Sequence, residues 1–220
     1  MRSAILIRDE ETTILVDFGP DIKTQLLEHK ITKLDAIICT HDHADHTSGI
    51  DELRVFGFNA NKPVKLFSNK ITLSSLSKKH SYLFTHHEGV APPLEQVQIL
   101  DQDLVKIGNI EIQLFKQIHG FNMSLGIRVN NFVYSNDVTE FPEENKIYLR
   151  DIDSWVVDCV GYNKTTAHSG LKEVLEWDKE FCPQKIYLTN MGHELEYHEL
   201  LNLLPSHIKP AHDGLKINIS

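Results

Sequence analysis

The sequence has few cysteines and no long apolar run. Its three cysteines, Cys39, Cys159 and Cys182, form no C-x-x-C pair, which disfavours a disulfide framework and favours a reducing compartment. No stretch approaches the roughly 20 apolar residues of a transmembrane helix. The apolar run at the start of the chain is interrupted by charges from Arg8 onward, so no secretory signal peptide is predicted. These absences indicate a cytoplasmic protein.

Positive charge is also in deficit. The chain has 22 Lys and Arg against 31 Asp and Glu, a net charge of −9 over 220 residues. A surface of this sign repels polyanions, which excludes broad binding to large nucleic acids or anionic membranes. A phosphate-bearing partner must therefore meet a local positive site. With 41% hydrophobic residues, the composition suits one globular domain over residues 1–220.

Histidine is abundant, with 13 residues, and it is concentrated in one motif. Residues 41–46 read His-x-His-x-Asp-His, and they follow an apolar run at 34–40 that is typical of a strand buried on both faces. The motif contains four candidate metal ligands: His41, His43, Asp45 and His46. Two imidazoles can converge on one cation while the next carboxylate and imidazole reach a neighbouring cation, and such ligands suit Zn²⁺, Mn²⁺ or iron. The motif predicts two adjacent metal sites; a surface loop rich in histidine by chance is the alternative.

Strands and helices alternate along the rest of the chain. Strands are predicted at 3–7, 13–17, 34–40, 64–67, 110–118, 124–129, 132–135, 155–159, 185–189 and 215–219. Helices are predicted at 22–30, 50–56, 73–79, 171–177 and 195–204, with Asp21, Thr47 or Ser48, and Ser169 as N-caps. This order favours a mixed α/β domain with two mixed sheets and outer helices.

Three segments extend the metal motif: Asp17-Phe18-Gly19-Pro20-Asp21, the run Gly-Ile-Asp-Glu-Leu-Arg at 49–54, and Pro210-Ala211-His212-Asp213-Gly214-Leu215. Together with residues 41–46 they resemble the metallo-β-lactamase superfamily, and within it the PhnP-type phosphodiesterases. The resemblance covers nearly the whole chain. It implies an αββα sandwich of two mixed sheets flanked by helices. Because this chain starts about one strand later than those relatives, the family's first strand is expected to be missing.

The resemblance assigns roles to residues outside the loop. Asp17 matches an aspartate that orients the metal loop by hydrogen bonding without binding the metal itself. His119 would complete the first site with His41 and His43. Asp137 would bridge the two cations, because bridging needs a negative residue with two oxygens.

The second site departs from the family pattern. Asn190 stands where the resemblance places a histidine ligand of the second metal, and its amide oxygen, a weaker and harder ligand than imidazole, is expected to bind there. The second site is therefore expected to be looser, more tolerant of Mn²⁺, or completed by His193 or water. His193 is also a candidate for contact with substrate.

The resemblance implies a binuclear metal-dependent phosphodiesterase that acts on small cyclic or nucleotide phosphodiesters through a metal-activated hydroxide. Asp45 would orient the hydroxide. His168, at a predicted helix start, would face the substrate phosphate and protonate the leaving oxygen. The relatives often dimerise, so a homodimer is a further expectation.

Two alternatives stay open: a thioester or other ester hydrolase of the same fold, and a nucleotide-binding protein with impaired catalysis. A nuclease that processes transfer RNA ends is disfavoured, because the sequence contains no basic run that could grip RNA.

Overall fold

The computed structural model describes residues 1–86, 89, 91–100 and 102–219. The chain groups into two compact units. Unit 1 comprises Met1–Asp101 and Lys106–Ile110, and unit 2 comprises Gln102–Val105 and Glu111–Ser220. Each unit has its own apolar core. The single domain over residues 1–220 stays a prediction.

Unit 1 is built on a mixed sheet that has five strands in the described ranges. The first two strands are antiparallel, and the second to the fifth run parallel in sequence order. The strands are β1 (Ile5–Arg8), β2 (Thr13–Val16), β3 (Ala36–Ile38), β4 (Val64–Ser68) and β5 (Leu94–Gln98). The helices are α1 (Ile22–Glu28), α2 (Ala44–Thr47), α3 (Arg54–Ala60) and α4 (Lys70–Lys79), with 3₁₀ turns at Ile50–Leu53 and Ser81–Leu83.

Strand β3 positions the metal loop. All three of its residues are buried, as its continuous apolar run predicts for a central parallel strand. It pairs with β2 on one side and β4 on the other. The chain leaves the carboxyl end of β3 directly into residues 41–46, so the candidate ligands start from a rigid, buried element.

The second mixed sheet has seven strands among the described residues, in the order β12-β11-β10-β9-β8-β7-β6. The strands are β6 (Leu104–Ile107), β7 (Ile110–His119), β8 (Asn122–Val129), β9 (Phe132–Ser135), β10 (Ser154–Asp158), β11 (Lys185–Thr189) and β12 (Ile208–Pro210). Neighbours from β9 to β12 are parallel, whereas β7, β8 and β9 form an antiparallel meander. The helices are α5 (Leu171–Phe181) and α6 (Tyr197–Leu203), with a 3₁₀ segment at Glu143–Leu149.

An aromatic cluster holds α5 against this sheet. Trp155 on β10 is fully buried, and its ring lies 6.0 Å from Trp177 and 5.9 Å from Phe181, both on α5. Burying large aromatic side chains is among the strongest apolar contributions to a core. The cluster thereby packs the second half of α5 against the start of β10.

The structure confirms the predicted α/β class with two mixed sheets and helices, but it corrects the predicted terminal strand. Residues 215–219 are not a strand, and the last strand in the described ranges is β12, which pairs in parallel with β11. A three-residue edge strand is too short to show a period-two pattern, so its sequence carries little signal.

Of the predicted N-caps, Asp21 is confirmed as the N-cap residue of α1, whereas Thr47, Ser48 and Ser169 are wrong. The Asp21 carboxylate makes no cap hydrogen bond and accepts one from the Arg2 backbone N–H at 2.7 Å. The hydroxyls of Thr47 and Ser48 donate to carbonyls one turn back, within α2. Ser169 donates to the Asp158 carbonyl, and Gly170 is the N-cap of α5. In each case another acceptor or donor outcompetes the local cap.

Among the described residues, none of the helices combines the length and the apolar character that crossing a bilayer requires.

Candidate metal centre

The loop after β3 gathers three imidazoles in unit 1. The ring of His41 lies 4.5 Å from that of His43 and 4.4 Å from that of His46, measured between ring centroids. His41 and His46 are each only 2% exposed. His41 and His43 offer ligand atoms within 4.8 Å of each other, close enough to share one cation, and His46 and Asp45 do so for another.

Asp17 orients the last of these rings. It is fully buried, and its Oδ2 accepts a hydrogen bond from His46 Nδ1 at 2.7 Å and from Thr40 Oγ1 at 2.8 Å. Its Oδ1 accepts the Thr40 backbone N–H at 2.8 Å. Because a neutral imidazole carries one proton, the donation from Nδ1 places the lone pair of His46 on Nε2.

The same network sets the tautomer of His41. The Thr40 hydroxyl has one proton, which it donates to Asp17. At its 3.0 Å contact with His41 Nδ1 the hydroxyl must therefore accept, so Nδ1 carries the proton and Nε2 the lone pair. Two histidines of the loop thus present the nitrogen that a metal binds.

Gly19 lets the strand that carries Asp17 approach the loop. A Cβ at Gly19 would lie 2.1 Å from the backbone oxygen of Asp45, which is too close for any other residue. The Asp45 carboxylate is 37% exposed, and its Oδ2 lies 3.7 Å from His46 Nε2. A solvent-accessible carboxylate beside a ligand nitrogen can bind a cation or accept a hydrogen bond from water.

In unit 2, His119 and Asp137 face each other. His119 ends β7 and is 1% exposed, and its Nδ1 donates to the Ala167 carbonyl at 2.6 Å. Its Nε2, which then carries the lone pair, lies 3.4 Å from Asp137 Oδ2. A lone pair and a carboxylate oxygen repel at this distance unless a proton or a cation lies between them.

His168 lies on the other side of Asp137. Its Nδ1 is 3.0 Å from Asp158 Oδ2 and 3.9 Å from Asp137 Oδ1, and its ring centroid is 4.9 Å from that of His119. Asp137, Asp158 and His168 each offer a ligand atom within 4.8 Å of the others. Unit 2 thus has its own cluster of metal-ligating side chains.

Asp158, fully buried at the end of β10, belongs to this cluster and is not among the site residues predicted from the sequence. Burial raises the pKa of this carboxyl to about 6; the hydrogen bond from His168 opposes the shift, and the charge of Asp137 adds to it. The sequence does contain a signal for this residue, because Asp158 is a charged residue at the end of an apolar strand. The same signal marks the metal loop after β3.

The structure places Asn190 beside this cluster and His193 outside it. Asn190 Nδ2 donates to Asp137 Oδ1 and to Asp158 Oδ1, both at 3.1 Å. His193 is exposed in the turn that follows β11. A role for His193 in metal or substrate binding stays a prediction.

The sequence model of one protein family, the β-lactamase superfamily domain, matches residues 12–191 of this chain. A solved diphosphatase of the PhnP family aligns with 100% of this chain and 85% of its own, with a TM-score of 0.92 and 26% identity. The metallo-β-lactamase fold protein YhfI of Bacillus subtilis aligns with 97% of this chain and 90% of its own at a TM-score of 0.79; at 17% identity this is a likeness of fold.

A curated relative, an octanoyltransferase of Porphyromonas gingivalis, is 24% identical over 217 residues. The match covers 97% of this chain and 44% of that protein, so this chain spans less than half the length of the relative.

Proposed function

This chain belongs to the β-lactamase superfamily, and on that premise we propose that it is a metal-dependent phosphodiesterase of small cyclic or nucleotide phosphodiesters. The fold is that of a hydrolase superfamily. The likeness to a PhnP-family diphosphatase, at 26% identity over the whole chain, supports a phosphate-containing substrate.

The observation that carries the metal requirement is the contact between His119 and Asp137. The proton on His119 Nδ1 is engaged by the Ala167 carbonyl, so the 3.4 Å contact from Nε2 to Asp137 Oδ2 brings together two electron-rich atoms. A divalent cation satisfies both, and one imidazole nitrogen with one carboxylate oxygen is a donor set typical of Zn²⁺ or Mn²⁺.

We further propose that the chain binds a pair of divalent cations. The proposed ligands are His41, His43, Asp45, His46, His119 and Asp137. This assignment follows the family resemblance, and the tautomers of His41, His46 and His119 support it, because each ring is hydrogen-bonded through Nδ1 and offers Nε2. When bound, the cations lower the pKa of a water and neutralise charge on the phosphoryl oxygens.

The side chains supply the remaining chemistry. Asp45, with its exposed carboxylate, accepts a hydrogen bond from the attacking water and orients it. His168 is held through Nδ1 by Asp158, so its Nε2 can carry a proton to the leaving oxygen. Because the chain is acidic overall, this local positive site rather than the general surface would attract a small anionic substrate.

A diphosphatase is the second candidate, favoured by the similarity to the PhnP-family enzyme. The same ligand set and the same proton donor serve cleavage of a P–O–P bond, because both reactions transfer a phosphoryl centre to water. The homodimer and the cytoplasmic location remain predictions.

The test combines metal analysis with turnover. The protein is stripped with a chelator and reloaded with Zn²⁺ or Mn²⁺, and hydrolysis of bis-p-nitrophenyl phosphate, a dinucleoside diphosphate and a thioester is measured. We expect metal-dependent cleavage of the phosphodiester or the diphosphate. His43→Ala and His119→Ala should each reduce this activity by at least about 100-fold and should also lose bound metal. His29→Ala, at an exposed histidine of unit 1, is the matched control and retains both.

Thioester cleavage alone would assign the ester-hydrolase alternative. Nucleotide binding with full metal content and no turnover would assign a binding protein with impaired catalysis. Either outcome overturns the proposal.

A further inference from the structure

We propose that Asn190 and Asp158 are positioning residues: the Asn190 amide holds the carboxylates of Asp137 and Asp158, and Asp158 fixes His168 in the tautomer that presents Nε2 to the substrate. The inference rests on the proposed function, because it assigns His168 the role of proton donor. It differs from the expectation that Asn190 is a metal ligand.

The protons of the Asn190 amide are fully used. Its Nδ2 has two hydrogens and lies 3.1 Å from Asp137 Oδ1 and 3.1 Å from Asp158 Oδ1. One hydrogen serves each carboxylate. His168 Nδ1, at 3.4 Å from the same nitrogen, therefore receives no proton from the amide, and its own N–H faces Asp158.

Both oxygens of Asp158 are engaged. Its Oδ1 accepts from Asn190, and its Oδ2 accepts from His168 Nδ1 at 3.0 Å and from the Val138 backbone N–H at 3.2 Å. The side chain is fully buried at the end of β10. A carboxylate whose two oxygens already accept three hydrogen bonds is arranged to hold its neighbours, although its atoms are near enough to Asp137 and His168 for metal binding.

This arrangement sets the direction of His168. With Nδ1–H donated to Asp158, the lone pair or the transferable proton resides on Nε2 at the opposite edge of the ring. The ring lies 4.9 Å from His119, a proposed metal ligand. The donor is thus fixed beside the place where a phosphate would bind, and its orientation depends on Asp158 and, through it, on Asn190.

The first experiment compares leaving groups. Asp158→Asn and His168→Ala are assayed with phosphodiesters that release p-nitrophenolate, which needs no proton, and with esters that release an alkoxide, which does. We expect each variant to lose about 100-fold in kcat on the alkyl ester, to lose much less on the aryl ester, and to keep its metal content. The double variant should lose no more than His168→Ala alone.

Nitrogen-15 NMR of the metal-free protein supplies a readout other than activity. We expect His168 to be protonated on Nδ1 in the parent chain and to show mixed tautomers in Asp158→Asn, with the same melting temperature within a few degrees. A leaving-group effect in His168→Ala but not in Asp158→Asn would overturn this inference and leave the proposed function standing. If His168→Ala showed no leaving-group effect, His168 would not be the proton donor, and the role that the proposed function gives it would be wrong.

The second experiment separates a ligand from a positioning residue at Asn190. Cation binding to the metal-free protein is titrated for Asn190→Ala, with Asn202→Ala on the exposed face of α6 as the matched control. We expect both to bind two equivalents of Mn²⁺, and only Asn190→Ala to lose kcat at unchanged KM and to alter the His168 signal. Loss of one equivalent of Mn²⁺ in Asn190→Ala would identify Asn190 as a ligand and overturn the inference, whereas a weaker affinity at two equivalents is what loss of a hydrogen bond to Asp137 produces.

Discussion

Asp17 and His46 form a buried hydrogen bond, 2.7 Å from Nδ1 to Oδ2, between side chains that are 29 residues apart in the sequence. The bond joins the end of β2 to the loop that follows β3. It fixes the His46 ring before any cation arrives, which reduces the entropy lost on metal binding.

Asp17→Asn should weaken metal binding without unfolding unit 1. An amide keeps one oxygen as an acceptor, but its NH₂ group cannot accept the proton of His46 or Thr40, so the ring loses its fixed orientation. We expect a decrease of about 10–100-fold in the affinity for Zn²⁺ or Mn²⁺, measured by titration of the metal-free protein. Asp9→Asn, in an exposed turn of the same unit, is the control. Equal affinities in the two variants would show that Asp17 does not orient the loop.

Gly19→Ala should displace the metal loop. The added Cβ would meet the Asp45 backbone oxygen at 2.1 Å, and backbone on both sides cannot move cheaply. We expect a loss of about 1–3 kcal/mol in the free energy of unfolding, with weaker metal binding. Gly161→Ala is the comparison, because its Cβ would meet first the end of the Glu194 side chain, at 3.2 Å. A similar small loss in both variants would contradict the close approach at Gly19.

Leu66→Ala should destabilise the core of unit 1. Leu66 on β4 is fully buried, so its truncation leaves a cavity and costs about 2–5 kcal/mol of unfolding free energy. Leu203→Ala, at a side chain that is 60% exposed, should change it by less than about 0.5 kcal/mol. Denaturant unfolding of both variants measures the difference, and comparable losses would contradict the burial of Leu66.

The stability of the first turn of α6 should depend on pH. Glu196 caps this helix by accepting the Glu199 backbone N–H at 2.7 Å, and this hydrogen bond lowers the pKa of the carboxyl from its ordinary 4.5. A lowered pKa in the folded state stabilises the helix above pH 4.5, and that contribution disappears as the pH falls through the folded-state value. The protection of the Glu199 amide against exchange, relative to its intrinsic rate at each pH, should therefore fall in acid in the parent chain. In Glu196→Gln this acid dependence should vanish. An unchanged dependence on pH in the variant would show that the Glu196 carboxylate does not cap α6.

The elements that the sequence predicts well are those with a local signal. The meander of β7, β8 and β9 was predicted to within a residue or two, because its strands are long and apolar and the turn at Asn130 favours a left-handed residue. The N-caps predicted at Thr47 and Ser169 are wrong, since the Thr47 hydroxyl donates to the His43 carbonyl one helical turn back, and the Ser169 hydroxyl donates to the Asp158 carbonyl, which only the folded chain brings near.

The candidate site divides in the same way. The ligands of the loop after β3 stand within six residues, so the sequence alone determined that they are close and that nitrogen and oxygen donors are available. Only the tertiary structure decided which ring nitrogen each histidine offers, that Asp158 holds His168, and that Asn190 donates to two carboxylates. Apart from the contact between the neighbours Thr40 and His41, the hydrogen bonds behind these assignments join residues 10 to 53 positions apart, and contacts over such separations depend on the tertiary fold rather than on any local pattern.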